Sequence, residues 1–259
     1  MPSIVWWLVL SLLLGAFGDE MSFKAMIMDE RTQEDFLDGQ ILLIDKPYEW
    51  SSFQALNKIK WAIRKKFELG KKFKIGHAGT LDPLATGLLI ICTGKFTKKI
   101  PELQGQVKEY TGKFCLGATT PSYDLETAVD HHYPMDHITK EEIEKTAKLF
   151  HGEITQQPPI FSALKKDGKR AYELARKGEK VELKSRKVTI HEFEITKIDL
   201  PNVYFRVVCS KGTYIRSLAH DFGIKLQSGA YLGALRRTKI GSFNVNDSIA
   251  PNVFAENLS

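Results

Sequence analysis

Apolar residues in this chain recur in two rhythms. Ile41-Leu42-Leu43-Ile44 is an unbroken apolar run closed by Asp45-Lys46-Pro47, as a short buried strand would be. Ser51 or Ser52 then caps a helix running to about Phe67. Phe53, Leu56, Ile59, Ile63 and Phe67 fall at spacings of three and four and predict its inner face. Leu88-Leu89-Ile90-Ile91-Cys92 reads as a second buried strand, and Tyr110, Gly112, Phe114 and Leu116 alternate as in a half-buried one. Residues 120–134 form a polar loop, and Thr139 with Glu142 makes a capping box for a helix to about Phe150. Pro158-Pro159 breaks the chain, and Lys169 to Lys177 reads as a short helix stopped by Gly178. Strands fill 181–210 around a turn at Pro201-Asn202, with Val203, Phe205, Val207 and Cys209 alternating. A helix from Tyr214 to Leu226 and a last strand from about Ile240 to Val245 complete the pattern. Strands and helices mix without a regular βαβ alternation, which predicts an α+β fold over a doubly wound one.

Composition changes this picture little. The 259 residues are 43% hydrophobic and 26% charged, which excludes disordered and collagen-like classes. Three cysteines (Cys92, Cys115, Cys209) cannot staple a chain of this size and fit a reducing compartment. Charge says more. The net +6 is unevenly spread: residues 1–38 hold two basic and seven acidic residues, leaving +11 on the remainder. Between 58 and 74 there are eight basic residues against one acidic, Glu68, more than solvation of a helix face needs. Contact with a phosphate backbone is the competing reading. Ile4 to Phe17 is apolar except for Ser11 and Gly15, short for a membrane span and about right for a signal-peptide core, yet no Lys or Arg precedes it. The alternative is translation from Met21, Met26 or Met28, which the cytosolic character of the body favours.

Several chemistries are poorly supported. Gly94-Lys95 evokes a phosphate loop, but Phe96 stands where Ser or Thr is required. The histidines lack the paired Cys or carboxylate spacing of a zinc site. The informative stretch is Gly76-His77-Ala78-Gly79-Thr80-Leu81-Asp82-Pro83-Leu84-Ala85-Thr86-Gly87. Its glycines permit close backbone approach. Pro83 biases Asp82 toward extended backbone, and apolar neighbours shelter its carboxylate. Read alone, an Asp before Pro most often caps a turn, and catalysis is the competing reading. In Cys209-Ser210-Lys211-Gly212-Thr213-Tyr214-Ile215-Arg216 a strand turns at glycine into a helix, where Arg216 could pair with a buried carboxylate.

Together these stretches resemble the bacterial TruB family of tRNA pseudouridine synthases. The resemblance runs over about residues 40–245. It starts at Leu42-Leu43-Ile44-Asp45-Lys46-Pro47 with Trp50-Ser51-Ser52, and passes through the Asp82 segment and Lys108-Glu109-Tyr110. It continues through Pro158-Pro159-Ile160-Phe161-Ser162-Ala163-Leu164-Lys165, Lys169 to Gly178, Lys211 to Arg216, and Leu235-Arg236-Arg237. It implies a pseudouridine synthase fold: a central mixed, mostly antiparallel sheet flanked by helices, with an RNA-binding insertion at about 120–180. The implied reaction isomerises uridine 55 in the TΨC loop of tRNA, without metal or cofactor. Asp82 matches the catalytic aspartate, which either adds to the sugar or abstracts a sugar proton on a glycal-type path. Tyr110 matches the tyrosine that stacks on the uracil and Arg216 the arginine paired with the aspartate. Tyr214 and Leu235 would line the base pocket, and His77 would lie near the flipped nucleotide. Lys46, Lys65, Lys66, Lys165, Lys166, Arg236 and Arg237 are the implied RNA contacts.

The expected organisation is an N-terminal extension outside the fold (1–38), a catalytic domain (39–247) and a short C-terminal tail (248–259). Many relatives append a C-terminal RNA-binding module, expected to be absent here. A cytoplasmic monomer acting on the tRNA T-arm, with no membrane partner, is the expectation. A tRNA-binding folding helper without required catalysis is the alternative.

Overall fold

The computed structural model describes residues 31–162, 165–166, 169–170 and 183–258. The apolar run Ile4–Phe17 and the alternative start sites lie outside the described residues.

In chain order the elements are α1 (Gln33–Asp38), β1 (Ile41–Lys46), α2 (Ser52–Lys66), β2 (Ile75–His77), β3 (Ala85–Thr93), α3 (Ile100–Gly105), β4 (Lys108–Leu116), β5 (Ala118–Thr119) and β6 (His131–His132). There follow α4 (Lys140–Lys148), β7 (Gly152–Gln156), β8 (Lys165–Lys166), β9 (Lys169–Arg170), β10 (Arg186–Asp199), β11 (Asn202–Cys209), α5 (Ile215–Lys225), β12 (Ala230–Ile240), β13 (Phe243–Asn244) and α6 (Pro251–Asn257). The main sheet runs β1-β3-β12-β4-β11-β10-β7, with β2 on β3 and β13 on β12. Among the described residues its one parallel strand pair is β12 with β3. The expected α+β fold with a mixed, mostly antiparallel sheet is therefore observed.

Local signals explain most elements. Ser51 and Gln54 form a reciprocal capping box on α2, as Thr139 and Glu142 do on α4. Leu56, Ile59 and Ile63 of α2 are buried against Leu42, Ile44, Leu89 and Ile91 of β1 and β3. β4 and β11 pair antiparallel from Cys115↔Asn202 to Lys108↔Cys209, and Phe114, Phe205 and Val207 join the largest apolar cluster beneath α5.

Five expectations are corrected. Phe53 is 64% exposed, because Ala55 and Ala62 complete the buried face of α2 instead. The last strand is not Ile240–Val245: β12 ends at Ile240 and folds back through a turn onto β13. Lys169–Arg170 pair with Lys165–Lys166 as a two-stranded ribbon, whereas the rest of the expected helix, 171–178, lies outside the described residues. Residues 33–38 belong to the fold, since α1 buries Phe36 completely. The segment read as a tail carries α6, whose Phe254 is fully buried in the same cluster.

Candidate active site

Sheet register brings the site together. Asp82 lies three residues before Ala85, and Ala85 pairs with Leu235 in the parallel β3–β12 ladder. On the other side of β12, Leu235 pairs with Gly112 and Arg237 with Tyr110. The loop before β3, the middle of β12 and the start of β4 thus converge. A Cβ at Gly87 would collide with the Arg237 backbone, so the close β3–β12 approach requires glycine there, at φ 104°.

The Asp82 loop is held at residues on both sides. Ser52 Oγ donates to the Leu81 carbonyl (3.1 Å) and accepts from its N–H (2.8 Å), imitating a strand partner. Lys46 Nζ donates to the carbonyls of Pro83 (3.2 Å), Pro47 (2.9 Å) and Trp50 (2.5 Å). Arg237 Nη2 donates to the Gly79 carbonyl (3.1 Å) and Arg237 Nε to that of Leu88 (2.8 Å). With these backbone groups satisfied, the Asp82 side chain remains 37% exposed and lines a cleft with Tyr48, Leu84, Asp124, Leu125 and Leu235.

Arg216, at the first turn of α5, is 3% exposed. Its Nη1 donates to the carbonyls of Phe161 (2.9 Å) and Ser122 (3.2 Å). Its Nε lies 2.9 Å from Asp82 Oδ2 and 3.5 Å from Asp124 Oδ2, an electrostatic pairing without an aimed hydrogen bond. A buried guanidinium needs such partners. Burial pushes the Asp124 pKa up, Arg216 opposes it, and the charge of Asp82 adds to the upward shift. Burial likewise drives Lys46 down to about 8, with Asp82 opposing. Burial raises the Tyr110 phenol, and Arg237 opposes that rise.

Residues 64–215 match the model described as TruB family pseudouridylate synthase (N terminal domain). The chain belongs to the TruB family. It is accordingly an isomerase of the pseudouridylate synthase class. A protein of Flavobacterium johnsoniae named tRNA pseudouridine synthase B is 66% identical over 227 residues, spanning 88% of this chain and 99% of that one. One of the same name from Phocaeicola vulgatus is 54% identical, spanning 86% and 94%. Among solved structures, a chain from the crystal structure of a Cbf5-Nop10-Gar1 complex superposes with a TM-score of 0.60 at 30% identity. That match covers 84% of this chain and 53% of the other, so this chain spans about half the length of its structural relative.

Against the residues singled out by resemblance to the TruB family, the structure joins Asp82, Arg216 and Leu235 around one cleft. Tyr110 is buried beside Arg237, within reach of the Asp82 charge. Tyr214 precedes α5; its N–H donates to Gln156 Oε1 (2.8 Å) and its carbonyl accepts from Gln156 Nε2 (3.0 Å). The Arg186 guanidinium lies 4.6 Å over the Tyr214 ring. His77 sits on β2, where burial and then the charge of Arg237 lower its pKa.

The basic residues divide. Lys46 and Arg237, expected to touch RNA, are 0% and 1% exposed and spend their donors on backbone carbonyls; their work is holding the Asp82 loop. Arg236 is half exposed in a two-point ion pair with Asp45 (2.7 and 3.0 Å). Lys65 and Lys66 are exposed at the end of α2. Lys165 and Lys166 form β8, and their side chains lie outside the described residues.

Sequence reasoning missed Asp124, Ser52 as a brace, and Gln156. Nothing local distinguishes Asp124 in its polar loop; its meaning comes from Arg216, far along the chain. Among the described residues no cluster of three or more His, Cys, Asp or Glu side chains could hold a metal ion, and no helix is long and apolar enough to cross a membrane.

Proposed function

We propose that the chain converts uridine 55 in the TΨC loop of tRNA to pseudouridine, with Asp82 as the essential carboxylate. The observation that carries the proposal is the sheltered Asp82–Arg216 pair at the mouth of the cleft. The shared name of its high-identity relatives supports tRNA as the substrate. In the reaction the N1–C1′ bond breaks, the uracil turns, and C5 bonds to C1′. C5 loses its proton and N1 gains one, so the product is an isomer and no co-reactant is required. Asp82 serves either as the group that adds to the sugar or as the base that takes a sugar proton. Arg216 fixes the carboxylate, and Asp124 shares that arginine. Tyr110 faces the uracil, Tyr214 and Leu235 line its pocket, and His77 positions the nucleotide. The stacked target base is extruded into the cleft before chemistry.

Residues 39–247 form the catalytic unit, with α1 and α6 packed on it, and about 120–180 form the RNA-contacting insertion. The lysines of α2 and of the segment after it, with Lys165, Lys166 and Arg236, meet phosphates. The enzyme works in the cytoplasm as a monomer. The test is a pseudouridine assay on a T-arm RNA with wild type and Asp82→Asn. Wild type converts the uridine, and the variant binds RNA without turnover. Equal turnover by both removes Asp82 from its role. Binding without conversion by the wild type would favour a folding helper.

A further inference from the structure

Tyr123 has a φ of 63°, a left-handed backbone that a bulky side chain rarely adopts. The surrounding contacts hold it there. Its N–H donates to the Thr120 carbonyl (3.1 Å), and its carbonyl accepts from the Leu232 N–H of β12 (2.9 Å). Its ring lies flat on the imidazole of His220, with centroids 4.0 Å apart and planes 11° apart. His220 is one helical turn beyond Arg216 on α5, so the same helix presents the guanidinium and the stacking surface. Asp124, the second carboxylate on Arg216, is the next residue after Tyr123. The Asp124 backbone is pinned as well, its carbonyl accepting from Thr120 Oγ1 (2.6 Å) and Ser122 Oγ (3.2 Å). Burial disfavours the charged imidazole, which suits His220 to an aromatic contact.

We infer that the Tyr123–His220 stack is a positioning device: it fixes the strained turn that sets Asp124 on Arg216 and thereby sets how Arg216 holds Asp82. Three links join the loop to α5 at successive loop residues: the Ser122 carbonyl accepts from Arg216 Nη1 (3.2 Å), the Tyr123 ring stacks on His220, and the Asp124 carboxylate pairs with Arg216. The strain at Tyr123 makes the arrangement specific, because a relaxed turn would carry the Asp124 carboxylate away from the guanidinium. Both Tyr123 and His220 act through Asp124 and Arg216, so they are positioning residues and not catalytic ones.

The inference rests on the pseudouridine synthase reading above. The experiment is a double-mutant cycle on the full chain, with an in-vitro-transcribed tRNA as substrate. Tyr123→Ala and His220→Ala each lower kcat about tenfold, with KM changed less than twofold, and Tyr123→Phe recovers the loss because it keeps the stack. In an Asp124→Asn background, Tyr123→Ala adds no further loss. The same cycle is read in urea-unfolding midpoints, where Tyr123→Ala and Asp124→Asn are non-additive. Additive losses in both readouts, or a Phe variant as slow as the Ala variant, overturn the positioning device. A wild type that converts no uridine overturns the function reading alone, because non-additive midpoints still establish the device.

Discussion

Ser52 shows how much of a site can depend on one small side chain. Its hydroxyl satisfies both backbone groups of Leu81, next to Asp82, from inside a fully buried position. Replacing it with Ala leaves a buried N–H and carbonyl without partners, at a cost of about 1–3 kcal/mol. Ser52→Ala should therefore lower the urea midpoint and slow turnover together, whereas a variant with wild-type values for both would mean that the loop is held elsewhere. Asp221 gives a prediction with a sign in pH. Burial raises its pKa from 3.8 to about 6. The folded chain thus keeps a proton that the unfolded chain has lost, and stability from this group is present below about pH 4 and lost as pH rises to about 6. Removing the charge with Asp221→Asn should stabilise the protein at pH 7.5, on the order of 2 kcal/mol, and give no gain at pH 4. A gain independent of pH would show that desolvation of the carboxylate is not the cause. Asp82 could be singled out because the stretch that resembles the TruB family is contiguous around it; its glycines, proline and apolar neighbours alone favour a turn cap. Asp124 was not, because its importance is a contact with Arg216 that only the fold creates.

At the scale of elements, legibility followed how local the cause is. α2 and α4 carry their capping boxes in sequence, and β4 and β11 carry their alternation. β12 does not, although it lies between β3 and β4 and carries Leu235. Its Arg236, Arg237 and Lys239 break the apolar pattern that marks a buried strand. They are tolerated in the sheet because Asp45 pairs with Arg236, Glu109 with Lys239 (3.5 Å), and the carbonyls of Gly79 and Leu88 with Arg237. None of those partners is near in sequence. α2 has the opposite character. Its first turn braces the Asp82 loop, and its basic last turn, with Arg64, Lys65 and Lys66, lies about 20 Å away along the helix axis. Lys71, Lys72 and Lys74 extend that charge. Reversing these three to Glu should weaken tRNA binding and flatten the dependence of log affinity on log salt by about 2 to 3. An unchanged slope would take the lysines that follow α2 out of the RNA interface.

At the scale of the whole molecule, the terminal elements of the described chain complete the cluster beneath α2 and the edge of β1. β1 has β3 on one side only, and its other edge is met by Ile249: the Asp45 N–H donates to the Ile249 carbonyl (2.9 Å) and the Ile249 N–H to the Leu43 carbonyl (3.1 Å). α6 follows at once and packs on α2, with Phe254 fully buried among Phe36, Ile59 and Ile63. This covers a strand edge that would otherwise present unpaired backbone groups. It also completes the cluster on which α2 rests, and α2 in turn holds Leu81 through Ser52. Phe254→Ala should cost about 3–5 kcal/mol by loss of apolar contact and the cavity left behind. Ending the chain after Asp247 should cost more, because the β1 edge is lost as well. Urea unfolding monitored by circular dichroism measures both. If the shortened chain unfolded at the wild-type midpoint, the segment would be an appendage. If it is part of the core, Phe254→Ala will also lower turnover near its melting range before it does so at low temperature, because the Asp82 loop loosens only as α2 loses its support.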